Sequence, residues 1–173
     1  MESGYPIRNQ GENMPLSWNE IRDRSVTFVR DWEGESSEHA EAKSFWDAFF
    51  MVFGVSRRRL AAFEKHVKKA DGKDGFIDLF WPGMLLAEHK SLGKNLDSAY
   101  DQATDYFPGL SDKELPRYII VSDFAKFRVR NLDTGESIEF PLAELPKKLS
   151  LFGFIAGYET REYKEQDPVN IKA

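Results

Sequence analysis

The chain has 173 residues, 41% of them hydrophobic and 14% aromatic, enough apolar mass for one domain with a core of large rings. The absence of cysteine excludes disulfides and thiolate zinc sites, and a formal net charge of −5 excludes a uniformly basic nucleic-acid binder. No apolar run approaches the ~20 residues needed to span a bilayer, and no signal pattern opens the chain, so a cytoplasmic protein is expected.

Residues 1–14 are polar and aperiodic and read as a flexible leader, with Met14 as an alternative start. Ser17 and Glu20 form a capping box, with Leu16 and Ile21 placed as a hydrophobic staple. Trp18, Ile21, Phe28, Val29 and Trp32 then predict an amphipathic helix ending by Gly34. Ser36 or Ser37 can cap a second helix, whose Phe45, Trp46, Phe49, Phe50 and Phe53 make a broad apolar stripe. Glu41 lies one turn before Phe45 and points towards the same face.

A weakly alternating strand is predicted over Leu60–Lys69, followed by a turn at 71–75. Phe76–Trp81 and Met84–Lys90 predict two strands around Pro82-Gly83. Both are apolar on both faces, so helices should cover both sides of the sheet. Leu96, Ala99, Tyr100, Ala103, Tyr106 and Phe107 mark a third helix, closed before Pro108-Gly109. Strands follow at Arg117–Ser122, Lys126–Asn131 and Glu136–Phe140, the first two joined by a tight turn at Asp123. A short helix is predicted over Pro141–Leu149, with Pro146 inside it. The state of Leu151–Ala156 is left open, and Glu159–Ala173 reads as a polar tail or the start of a linker. The expected organisation is therefore a leader (1–14), one domain (15–158) and a tail (159–173).

The strands around Pro82-Gly83 hold the chemistry. Asp78, Glu88 and Lys90 sit inside apolar runs, where a charge is costly unless it is paired or bound to a metal. Two carboxylates can hold a divalent ion, which neutralises phosphoryl oxygens and activates water for phosphodiester hydrolysis. Asp78 and Glu88 are the candidate ligands, with the backbone carbonyl of His89 as a third. Lys90 can orient or deprotonate the attacking water, or stabilise charge on phosphorus. A two-residue loop at Pro82-Gly83 would set Asp78 opposite Ala87 and send Asp78 and Glu88 to opposite faces. A shared metal therefore requires an odd loop or a bulge, for example three residues with Gly83 left-handed.

Other residues admit two readings. Glu41 can bind a second metal or position its water, or it can be a first-turn acid favoured by the helix dipole. Gln102 and Tyr106, one turn apart, can approach the site, or can be an exposed amide and a half-buried ring. His39, His66 and His89 lack zinc spacing and read as structural or surface residues. Between Ser56 and Lys94 there are nine Lys or Arg and five Asp or Glu, a local net of +4. Alone this is a solvated basic face. Beside a metal site, Arg57, Arg58, Arg59 and Lys94 become candidate phosphate contacts.

Asp78 with Glu88-His89-Lys90 resembles the motif of the PD-(D/E)xK nuclease superfamily. Gln102-Ala103-Thr104-Asp105-Tyr106 resembles the Q-x-x-x-Y element of its RecB-like branch, and Glu41 the acid often found on that fold's first core helix. Longer segments are similar to the N-terminal part of MmeI-like type IIL proteins. These are Leu16–Ile21, Phe53–Arg59, Ala87–Ser91, Asp105–Leu110 and Leu151–Tyr158. That family joins endonuclease, adenine-N6 methyltransferase and target recognition in one polypeptide.

The resemblance implies a restriction-endonuclease-like α/β fold with a mixed central sheet and helices on both faces. It implies Mg²⁺-dependent cleavage of double-stranded DNA, with Mn²⁺ as a substitute metal, catalytic Asp78, Glu88, Lys90, Glu41 and Gln102, and DNA contact by Tyr106. The N-P-P-Y type methyltransferase motif does not occur in this sequence. S-adenosylmethionine, the methyltransferase and the target-recognition regions are therefore expected only in the full-length family, and the chain is expected to be an excised domain or a truncated product. With a single site per chain, cutting both strands would require two copies to meet as a transient dimer, or one copy to act twice. The alternative is a DNA-binding or assembly module that keeps the fold without catalysis.

Overall fold

The computed structural model describes residues 15–158. The predicted leader and tail lie outside these residues. Six strands form one mixed sheet in sequence order: β1 (Ala62–Lys68), β2 (Asp74–Trp81), β3 (Leu85–His89), β4 (Tyr118–Ser122), β5 (Lys126–Asn131) and β6 (Ser137–Pro141). All neighbours are antiparallel except β3 and β4, which are parallel and joined through a crossover helix. Among the described residues the α-helices are α1 (Trp18–Trp32), α2 (Glu38–Val52), α3 (Arg57–Leu60), the crossover helix α4 (Leu96–Asp105) and α5 (Gly153–Ala156). No helix of the described residues is long and apolar enough to cross a membrane.

Two cores lie on opposite faces of the sheet, as the doubly apolar strands require. On one face, Ile21 and Phe28 of α1 and Phe45, Phe49 and Phe50 of α2 pack on Leu79, Leu85, Ala87, Ile120 and Phe127. The rings meet mostly edge to face, as Phe45–Trp46 and Phe49–Phe152 do at 5.3 and 5.1 Å. On the other face, Leu96, Ala99, Ala103 and Tyr106 cover Ile77, Phe80, Leu86, Ile119 and Val121. Gly109, in a 3₁₀ turn after α4, lets that helix end against β1. A Cβ there would lie 2.3 Å from the Lys68 carbonyl oxygen.

Several local expectations are refined. Ser17 Oγ accepts the Glu20 amide at 3.1 Å, but the Glu20 carboxylate takes Arg24 Nε at 3.2 Å, so half of the capping box forms. Ser37 is the N-cap of α2, as expected, but its hydroxyl makes no capping bond; the Glu35 carboxylate instead holds the approach to the helix by accepting the amides of Ser36 and Ser37 at 3.0 and 2.9 Å. The basic run 57–59 is a helical turn, α3, and the strand starts only at Ala62. Pro146 keeps Leu142–Lys147 a 3₁₀ helix, and Leu149–Ala156 continues as 3₁₀ then α. Tyr158 closes the domain by stacking on Trp18 at 4.6 Å and donating to the Leu16 carbonyl at 2.7 Å.

Candidate active site

The site starts from the parity of one loop. Three residues, Pro82-Gly83-Met84, join the paired ends of β2 and β3, so that Trp81 faces Leu85, Phe80 faces Leu86 and Leu79 faces Ala87. Gly83 has φ +76°, and the Met84 amide returns to the Trp81 carbonyl at 3.0 Å. This is the odd loop that a site shared by Asp78 and Glu88 would need, and it brings Asp78 level with Glu88 instead of Ala87.

The ladder between β2 and β3 stops just short of that level, and the two side chains fill the opening. The Asp78 amide donates to Glu88 Oε2 at 2.9 Å, and Asp78 Oδ2 accepts the His89 amide at 2.8 Å. Each carboxylate thus holds the backbone of the other's strand. Two amides that would be orphaned where strands part are satisfied by acids.

Both acids pay electrostatically for this placement. Burial pushes the Asp78 carboxyl above the usual carboxylate range, against the pull of the His89 amide and the Lys90 charge. Glu88, 1% exposed, is pushed well above it, first by burial and then by the Asp78 charge. The pair is a concentration of hard oxygen donors with too little positive charge around it. Among the described residues no three His, Cys, Asp or Glu side chains form a ready metal cluster. A cation here would take two side-chain carboxylates and complete its shell with backbone oxygen and water, which suits Mg²⁺ better than a fully caged ion.

Lys90 follows Glu88 by two residues and is half-buried. Its Nζ donates to Gln102 Oε1 on α4. Gln102 Nε2 donates to the Tyr106 hydroxyl at 3.1 Å, and that hydroxyl donates to the Phe76 carbonyl at 3.0 Å. The Q-x-x-x-Y pair is therefore one relay from α4 to Lys90 and β2. Gln102 is exposed, as its plainer reading had it, yet it is engaged. Tyr106 departs from both expectations. At 2% exposure it is neither half-buried nor available to DNA, and its phenol pKa is raised by burial and by the Glu88 charge. It braces the site from inside.

The acid that α2 brings to the site is Glu38. Its Oε2 accepts the Ser91 hydroxyl just after Lys90, and its charge acts on Asp78 and His89. With His39, Ala42, Trp46 and Asp78 it lines a cavity of about 310 Å³. Glu41, the expected acid, is half-buried on the neighbouring ridge with Phe45 and does not line this cavity. Sequence reasoning missed Glu38 although it stands seven residues before Phe45, also on the apolar stripe. His89 turns away from Glu88 into a cage of Phe45, Trp46 and Phe124, the last 4.2 Å away. Burial lowers its pKa to about 4. His66 pairs with Asp74 at 2.8 Å on the surface.

The basic residues do not form one class. Arg57 is occupied inside the fold: it pairs with Asp47 at 2.7 Å, donates to the Ala61 carbonyl at 2.9 Å and lies 3.9 Å over the Phe63 ring. This placement gives it a structural task in place of the expected phosphate contact. Arg58, Arg59 and Lys94 are exposed. The turn carrying Lys94 is pinned by buried Asp123. Its Oδ2 accepts the Gly93 amide at 3.1 Å, and its Oδ1 accepts Ala125 and Lys126 at 3.1 and 3.0 Å.

Comparison with known proteins adds three findings. DNA methyltransferase A of Bacillus subtilis (strain 168) is 27% identical over 124 residues, a match covering 70% of this chain and 13% of that protein. A chain of the cryo-electron-microscopy structure of a DrdV–DNA complex has the same fold, with a TM-score of 0.53 at 14% identity. That match covers 90% of this chain and 16% of the other, so the chain spans a small part of each relative. The expected mixed central sheet with helices on both faces is thus present, in a fold shared with that chain. The model of the N-terminal domain of MmeI matches residues 23–173, most of the sequence, and the chain belongs to that family.

Proposed function

We propose that the chain is the nuclease domain of a restriction–modification enzyme and hydrolyses phosphodiesters of double-stranded DNA with a divalent metal. The observation that carries this reading is the crossed pair of bonds where β2 and β3 part, the Asp78 amide to the Glu88 carboxylate and the His89 amide to the Asp78 carboxylate, with Lys90 two residues after Glu88. Asp78 and Glu88 would hold Mg²⁺ or Mn²⁺, with the His89 carbonyl as a third ligand and Glu38 nearby to position its water. The bound ion supplies charge neutralisation at the phosphoryl oxygens and a water of lowered pKa.

The chain's own residues supply the rest. Lys90, held by Gln102, meets the charge that builds on phosphorus or takes a proton from the attacking water. Tyr106 fixes Gln102 and so fixes Lys90. Arg58, Arg59 and Lys94 contact phosphates without reading sequence. DNA as partner is supported by the relative solved as a DrdV–DNA complex. Methyl transfer from S-adenosylmethionine is assigned to longer family members, not to the residues described in this chain.

The test is plasmid cleavage against Mg²⁺ and Mn²⁺, comparing wild type with Asp78→Ala and Lys90→Ala. Loss of about a hundredfold or more in each variant is expected. Cutting that persists unchanged in both overturns the site. Salt-dependent DNA binding without metal-dependent cutting would favour the non-catalytic module.

A further inference from the structure

β1 pairs with β2 in one unbroken register, Ala62 with Phe80 and Phe63 with Leu79, then Lys65 with Ile77 through Lys68 with Asp74. One rung is missing from this ladder, the one between Glu64 and Asp78. Glu64 sits at φ +56°, and the only other non-glycine with positive φ among the described residues is Phe124. Backbone of this kind is unfavourable for a residue with a Cβ inside a strand. The consequence is visible in β2. Ile77 and Leu79, two apart, should share a face, yet Ile77 packs in the α4 core and Leu79 in the α2 core. The strand turns about its own axis at Asp78. On its other side the pairing with β3 also stops, at Leu79 and Ala87.

From these observations we infer that Glu64 is a positioning residue whose left-handed backbone opens the ladder at Asp78 and turns that residue towards Glu88 and the His89 amide. The inference rests on the reading of Asp78 and Glu88 as metal ligands for its functional meaning. Its structural content stands on the missing rung. The Glu64 carboxylate is not what matters: it makes an exposed pair with Lys43 at 3.0 Å. The requirement is conformational, and strain of this kind collects beside functional groups. Glycine and asparagine accept the conformation; valine, branched at Cβ, resists it and favours refilling the rung.

The test compares Glu64→Gly, Glu64→Asn and Glu64→Val by amide hydrogen exchange at Asp78 and His89 in metal-free protein, and by Mn²⁺ line broadening of the same amides. In the Val variant, both amides are expected to exchange about tenfold faster or more, and half-broadening to need about 10–100-fold more Mn²⁺. Gly and Asn should stay within about twofold of wild type, which restores the site while discarding the carboxylate. A Val variant with wild-type exchange at both amides, or a Gly variant as impaired as Val, overturns the inference. If circular dichroism finds Val unfolded, Glu64→Ala replaces it, and Ala indistinguishable from Gly overturns the inference. If wild type takes up no Mn²⁺, the metal reading fails and amide exchange alone decides the role of Glu64.

Discussion

The Glu88 carboxylate accepts the Asp78 amide at 2.9 Å while the Asp78 carboxylate accepts the amide of the residue after Glu88, so the two acids are clamped side by side. Without a cation this clamp opposes folding at neutral pH. Both carboxyls have folded pKa values above their unfolded ones. The folded chain therefore holds protons that the unfolded chain has released, and stability falls as pH rises from the ordinary carboxylate range through the raised values. Glu88→Gln keeps an oxygen for the Asp78 amide and removes the charge. In metal-free protein at pH 7 it should add on the order of 1 kcal/mol, or about 2–4 °C in Tm, with the gain vanishing below pH 4. Thermal melts across pH check this, and an unchanged or lowered Tm at pH 7 would contradict it.

His89 acts in the opposite sense. Its pKa is lowered to about 4 by burial among Phe45, Trp46 and Phe124, and neither ring nitrogen has a partner among the described residues. The unfolded imidazole binds a proton near pH 6.5, the folded one near 4, so stability is lost as pH falls through that window, by roughly 3 kcal/mol. His89→Phe should flatten this slope between pH 6.5 and 4 and leave neutral stability equal or higher, since no hydrogen bond is removed. Denaturant melts at several pH values test it; a slope equal to wild type would place the acid sensitivity elsewhere.

Gln102→Ala removes the acceptor that holds Lys90 and the donor to the buried Tyr106 hydroxyl. The expected effect is a loss of about 10–100-fold in the cleavage rate at saturating metal. The Mn²⁺ concentration for half-maximal broadening should stay within about twofold of wild type, because the Asp78 and Glu88 carboxylates keep the His89 and Asp78 amides that they accept. A variant weakened only in metal affinity would show that the relay serves the carboxylates and not Lys90.

Asp123 accepts three amides, from Gly93, Ala125 and Lys126, while 1% exposed. Asp123→Ala leaves these donors without the carboxylate and should cost about 2–4 kcal/mol. Gly93 belongs to the turn after Lys90, so exchange at that amide should rise more than at β5. Chemical denaturation and hydrogen exchange measure the two effects.

What could be read in the sequence follows from which periodicities are sharp. Strand alternation has a period of 2, so the spacing of Asp78 and Glu88 around Pro82-Gly83 was enough to require an odd loop or a bulge if the two were to share a metal. The helix acid was not decidable in this way. Glu38 and Glu41 both lie on the first turn of α2 and both fall on its apolar stripe. Only the way α2 crosses the sheet sets the ridge of Glu38, Ala42 and Trp46 beside Asp78. Arg57 shows a similar limit. A run of charge is visible in sequence, but the Asp47 and Phe63 that occupy its guanidinium come from different elements. The strain at Glu64 leaves no compositional trace, because an ordinary glutamate occupies a position that local preference would give to glycine.

The three-residue connection at Pro82-Gly83-Met84 also limits how this domain can change. Most surface turns absorb insertions and deletions, since closing a slightly longer loop costs little. Here, gain or loss of one residue would exchange the two faces of β3. Leu85, Ala87 and His89 would trade places with Leu86, Glu88 and Lys90, and the Glu88 carboxylate would be delivered into the aromatic cage. Relatives of this chain should therefore vary the identity of these loop residues more freely than their number, and length changes should come in steps of two.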